Sequence, residues 1–67
     1  MEIQINSDQI KLDQFLKWAG IAQSGSEAKM MIAEGMISVN AEIETRRGRK
    51  LGPGDRVVFQ GREYVLA

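Results

Sequence analysis

The sequence predicts an α+β fold for a single domain over residues 1–67: a strand, a hairpin of two helices and an antiparallel sheet. Three observations lead there. Between Leu12 and Gly35 apolar residues recur twice at helical spacing, and each run stops at a glycine. After Gly35 the apolar residues recur at every second position, as strands require. Asn40-Ala41, Gly52-Pro53-Gly54-Asp55 and Gln60-Gly61 then divide that stretch at turn positions. A chain of 67 residues buries only about 60% of its unfolded surface and makes one core. With no cysteine to staple it, that core is the source of stability.

Taken in order, Ile3 and Ile5 alternate with polar residues as a first strand that Asn6-Ser7-Asp8 ends. Leu12, Phe15, Leu16 and Ala19 form one helical stripe, begun somewhere between Ser7 and Lys11, with Gly20 at a left-handed C-terminal cap. Ser24-Gly25-Ser26-Glu27 is a capping box in which the Ser24 hydroxyl accepts from Glu27 and the Glu27 carboxylate reaches back to the Ser24 amide. Ala28, Met31 and Ile32 give the second helix its buried face, and the roughly four-residue turn between the helices forces them together. Ile37, Val39 and Ile43 are expected on the core side of two strands joined at Asn40-Ala41, with Glu42 and Glu44 as solvated neighbours of Ile43. Val57-Val58-Phe59 and Tyr64-Val65-Leu66 are the last two strands. Phe15, Phe59, Met30 and Met31 are read as core or near-core residues.

Nine basic and nine acidic residues cancel, yet they are segregated. Residues 1–44 hold three basic against seven acidic side chains, whereas residues 45–62 hold six basic against Asp55 alone. Attraction for an anion follows the local field, so a neutral total leaves an anionic partner in play. Arg46-Arg47-Gly48-Arg49-Lys50 concentrates this charge: folding gives no reason to gather mutually repelling cations, and a phosphate backbone rewards the density through counterion release. The alternative for the loop is a solvated segment that protects a sheet edge. Ser24 at a helix start, with Lys29 one turn on, offers a phosphate site, although capping alone is the better reading of Ser24 and Glu27 would repel a phosphate there. Trp18 is read as covering the core rim, with base stacking as a second role. Without histidine, cysteine or a nucleophile motif, no catalytic residue and no metal or cofactor site is expected. The opening MEIQINSDQI does not read as a signal peptide, and no apolar run reaches the length of a membrane span, so a soluble cytoplasmic protein is expected.

An ordered set of residues also carries a family resemblance. Lys11-Leu12-Asp13-Gln14-Phe15-Leu16, Ala19-Gly20-Ile21-Ala22, Ser24, Ala28, Ile32, Gly35, Val39-Asn40, Lys50-Leu51 and Pro53-Gly54-Asp55 resemble the S4 RNA-binding domain over about residues 10–59. The chain is similar to small stand-alone bacterial S4-like proteins, including a group whose loop also reads Glu-Thr-Arg, as Glu44-Thr45-Arg46 does here. The resemblance implies an S4-like (alpha-L) fold, with the helix hairpin on a small, bent antiparallel sheet. It also implies non-catalytic binding of structured RNA, ribosomal or transfer, by a cytoplasmic monomer, with ribosome association as one setting. Lys11, Ser24, Lys29, Arg46, Arg47, Arg49 and Lys50 are the RNA-binding candidates. Two positions depart from the family pattern: Lys11 stands where arginine is frequent, and Gly25 stands where an arginine commonly follows the serine. The contact is therefore expected to lean on the loop. The rival expectation is a protein-interaction module of the same fold, docking an acidic partner without RNA.

Overall fold

In the computed structural model, which describes residues 1–67, the elements follow as β1 (Glu2–Ile3), β2 (Ile10–Lys11), α1 (Leu12–Trp18), α2 (Gly25–Ala33), β3 (Ile37–Val39), β4 (Glu42–Ile43), β5 (Lys50–Leu51), β6 (Arg56–Phe59) and β7 (Arg62–Leu66). Five strands form a sheet in the order β1-β7-β6-β3-β4, and β2 pairs with β5 in a separate ribbon. β1 lies parallel to β7 and all other pairings are antiparallel, so the sheet is mixed where a purely antiparallel one was expected. The β2–β5 ribbon was not foreseen either, because each of its strands is only two residues long.

The helical hairpin forms as its apolar spacing requires. Leu12, Phe15 and Leu16 of α1 and Ala28, Met31 and Ile32 of α2 are buried. They meet Ile37, Val39, Val57, Tyr64 and Leu66 of the sheet and Leu51 of the ribbon in one core. Gly20 and Gly35 take left-handed φ values of 77° and 74° where the helices end, a conformation that costs glycine little. The Ser24 hydroxyl accepts from the Glu27 amide at 3.1 Å, as a cap should, while the Glu27 carboxylate accepts from the Gln23 amide at 2.9 Å, one residue earlier than expected. Met30 is 50% exposed, a correction to its reading as core; Met31 alone of that pair faces inward. No helix is long and apolar enough to cross a membrane.

The larger correction lies in the β3–β4 hairpin. Ile43 is 67% exposed and Glu44 is buried, the reverse of the expectation. The turn explains why. Asn40 and Ala41 both have positive φ, 52° and 73°, as a two-residue turn of the primed kind demands. Such a turn sets Val39 opposite Glu42 and Ser38 opposite Ile43, and the Glu44 amide donates to the Ile37 carbonyl at 3.0 Å. Side chains of directly paired residues share a face, so the face of Ile37 and Val39 continues as Glu42 and Glu44. Counting every second residue straight through the turn puts Ile43 on the wrong side.

The same turn is locked to the one before β6. Asn40 Nδ2 donates to Asp55 Oδ1 at 3.0 Å, Asp55 Oδ2 accepts from the Gly52 amide at 2.8 Å, and the Arg56 amide donates to Asn40 Oδ1 at 3.0 Å. Ala41 is thus held in a left-handed conformation that costs a residue with a Cβ about 1–2 kcal/mol. Ala41→Gly is expected to stabilise the fold by about 0.5–1 kcal/mol after the entropy of the extra glycine is counted. The shift in denaturant midpoint measures it, and a lower midpoint contradicts the turn geometry.

Candidate nucleic-acid interface

The basic segment closes against the start of α1. Helix α1 has Lys11 at its N-cap and no side-chain cap, so its first amides need other acceptors. The loop supplies them: Leu12 N–H donates to the Arg49 carbonyl at 2.8 Å and Asp13 N–H to the Arg47 carbonyl at 3.1 Å. Backbone hydrogen bonds therefore bring Lys11 and the Arg46–Lys50 segment together across 35 or more positions of sequence.

Within this junction Lys11 and Lys50 are direct cross-strand partners. The Leu12–Arg49 bond just beyond them marks the closer, non-hydrogen-bonded kind of pair. Like charges set opposite each other destabilise a sheet, and neither lysine has an acidic partner. Gln9, Ile10, Lys11, Gln14 and Lys50 line a shallow concave surface, and Arg46, Gly48, Arg49 and Lys50 line a second one. Lys50 belongs to both, which makes the two surfaces continuous.

Glu44 sits beneath the loop. Its Oε2 accepts from Arg46 Nε at 3.2 Å and from the Arg46 amide at 3.1 Å, while its Oε1 accepts from Arg49 Nη1 at 3.0 Å. The side chain is 9% accessible, but the cover is thin, because the Arg46 side chain that lies over it is itself 76% accessible. The hydrogen bonds from Arg46 and the one from Arg49 hold the Glu44 carboxyl well below its ordinary 4.5, at about 2, against a smaller opposing effect of burial. The same contact pushes the Arg46 guanidinium further towards its charged form.

Of the candidate residues, the structure thus joins Lys11, Arg46, Arg47, Arg49 and Lys50. Two of these cations, Arg46 and Arg49, share the Glu44 counter-charge; Arg47, Lys11 and Lys50 have no acidic partner. Lys29 is exposed on α2 without an ion pair, and Ser24 is engaged as its cap. No hydrogen bond links either of them to the loop. Trp18 is 52% exposed and its indole N–H donates to the Gln4 carbonyl at 2.8 Å, so the ring is tethered at its edge and open on part of its surface. Sequence reasoning missed Glu44, Gln9 and Gln14. The turn-imposed register signals Glu44; nothing local in the sequence signals the two glutamines. No group of carboxylates, histidines or cysteines converges to hold a metal ion.

Comparison with known proteins gives four findings. A family model described as "S4 domain" matches residues 3–67. The Bacillus subtilis (strain 168) protein named "Probable ribosome maturation protein RlbA" is 48% identical over 59 residues, covering 88% of this chain and 83% of its own. The solution structure of YbcJ from E. coli, with an alfaL motif involved in RNA-binding, superposes with a TM-score of 0.73 at 31% identity, covering 98% of this chain and 85% of that one. An uncharacterized RNA pseudouridine synthase of Aquifex aeolicus (strain VF5) is 34% identical over 59 residues, covering 88% of this chain but only 19% of the larger protein.

The depressed Glu44 carboxyl has a direct consequence for stability. Its contribution is full above about pH 4.5 and is lost as the pH falls from there towards 2, because only the folded state holds the group ionised in that window. Glu44→Gln is expected to be less stable than the parent chain at pH 7, and the gap should narrow as the pH falls through the window. Denaturant midpoints measured from pH 7 to pH 2.5 check this; a gap that does not change with pH contradicts it.

Proposed function

This chain belongs to the S4 domain family, and from that premise we propose that it is a non-catalytic RNA-binding protein that recognises folded RNA through the Lys11–Lys50 junction and the Arg46–Lys50 loop. The observation that carries the reading is the unpaired Lys11–Lys50 opposition beside Arg47. Cations forced together with no internal counter-charge are stabilised by an external anion, and a phosphate between the two ammonium groups relieves their repulsion. Phosphate contacts carry no sequence information, so the surface reads charge and shape. Double-stranded RNA suits it, since its phosphates and wide minor groove are accessible while its base edges are largely hidden. The name of the Bacillus subtilis relative supports ribosomal RNA within the structured class, with transfer RNA as the other member. In this reading Lys29 and the Ser24 hydroxyl form a second point of contact on α2, Trp18 stacks on an exposed base, and the protein acts as a monomer in the cytoplasm.

The structure also decides which variants make a clean test. Reversing Arg46 or Arg49 would set a new carboxylate beside buried Glu44 and endanger folding. Lys11, Arg47 and Lys50 are exposed and unpaired, so neutralising them leaves no buried charge behind. Each phosphate contact contributes about −0.7 to −0.9 to the slope of log affinity against log salt. Lys11→Gln, Arg47→Gln and Lys50→Gln are each expected to weaken binding to a folded RNA hairpin several-fold, to flatten that slope by about one contact's share, and to act alike on unrelated hairpin sequences. Fluorescence anisotropy over a salt series measures this. A triple variant that binds RNA as tightly as the parent chain refutes the surface, and retention of an acidic protein in place of RNA establishes the interaction-module reading.

A further inference from the structure

Glu44 is the one buried charged side chain, and it lies in the middle of the basic surface. By charge alone it opposes an anionic ligand. We propose that Glu44 is instead a positioning residue for phosphate recognition, holding the Arg46 and Arg49 guanidinium groups so that their remaining N–H groups face the RNA backbone. This rests on the RNA-binding reading above and adds to it the sign of one residue's effect.

The donor inventory allows both tasks at once. A guanidinium carries five N–H groups, of which Arg46 gives its Nε–H to Glu44 and Arg49 gives one from Nη1. Arg46 keeps both Nη groups free on an exposed side chain, and Arg49 keeps its Nε–H and Nη2 groups, so each retains the two nitrogens of a forked grip on phosphate. The carboxylate also ties three parts of the fold together. Its own amide is bonded to β3 through the Ile37 carbonyl, its oxygens hold the arginines, and the Arg49 carbonyl accepts from the first amide of α1. Without it, a loop containing Gly48 and four mutually repelling cations has no side-chain anchor. The cost of ordering those two long side chains would then fall on RNA binding, where one such side chain is worth up to about tenfold in affinity.

Two variants separate position from charge. Glu44→Asp keeps the charge but is one methylene too short to serve both arginines; Glu44→Gln removes the charge and leaves a single oxygen acceptor. With the parent chain bound to a folded RNA hairpin, both variants are expected to bind about five- to tenfold more weakly while Glu44→Asp keeps the parent's salt slope. Chemical unfolding at pH 7 verifies that Glu44→Asp remains folded, and NMR of the arginine Nε–H groups reports the anchor directly: the Arg46 signal should be protected from exchange in the parent chain and lose that protection in both variants. Tighter binding by Glu44→Gln, unchanged binding by Glu44→Asp, or an Arg46 signal equally exposed in all three proteins overturns the proposal while RNA binding stands. A parent chain that binds no RNA hairpin overturns the RNA reading and this inference with it, a result the variants alone cannot imitate.

Discussion

The ion pair of one inward-turned carboxylate with two arginines, Glu44 with Arg46 and Arg49, ties the loop's side chains to the sheet. It exists because a two-residue turn fixes which side of β4 faces the core. Pair and turn therefore act as one constraint. The Asn40 side chain, bonded to Asp55 and to the Arg56 amide, holds the turn, the turn sets the register, the register buries Glu44, and Glu44 fixes the base of the loop. The loop in turn accepts the first hydrogen bonds of α1, whose N-terminus has no side-chain cap of its own. Exposed ion pairs contribute little to stability, commonly below about 1 kcal/mol. This one differs in that its carboxylate is largely covered and accepts three hydrogen bonds, so removing the arginines would strand a buried charge.

A neutral chain can still carry a positive face because fields are local. Salt at physiological strength screens exposed charges beyond about 8 Å, so the acids of the rest of the chain do not cancel the loop's field unless they lie beside it. Glu44 does lie beside it, and it offsets one of the junction's positive charges. Asp13, whose amide meets the Arg47 carbonyl, also lies beside it without making an ion pair, and five cations against these two carboxylates still leave a positive balance. The junction thus keeps a positive excess centred on Lys11, Arg47 and Lys50, at the place where the ribbon pairing is least favourable electrostatically. A small domain of this length has only about 3–10 kcal/mol of stability to lose. Retaining an opposed lysine pair under that constraint is hard to explain from folding alone.

The fold was legible in the sequence wherever a long periodic stretch met a turn. Both helices, their glycine ends, the Ser24 cap and the β6–β7 hairpin follow from spacing and turn residues. The two-residue strands β1, β2 and β5 are too short to show a period, and their pairings are made by distant parts of the chain, so neither the parallel edge nor the ribbon was readable locally. The burial of Glu44 belongs to a different class. Every fact needed was present, since the Asn40-Ala41 turn had been identified, and the error lay in carrying one alternation through a turn that exchanges odd for even positions. The gathering of Lys11 with the loop was hidden because it depends on backbone bonds between residues far apart in sequence.

Neither helix N-terminus is free to act as a simple anion site, and this bears on how an anion can be held. At α2 the Ser24 hydroxyl takes up the Glu27 amide and the Gly25 and Ser26 amides have no partner within the protein, but the negative Glu27 sits where the helix dipole would otherwise favour a phosphate. At α1, the Leu12 and Asp13 amides are bonded to loop carbonyls. Glycine at position 25 adds no side-chain cation beside the α2 start. On the proposed reading, what remains for a phosphate backbone is chiefly side-chain charge: lysine ammonium groups that act as point charges and the arginines that Glu44 binds. Recognition of that kind is strong at low salt, indifferent to sequence, and sensitive to the spacing of phosphates in space, which a folded duplex fixes and a flexible single strand does not.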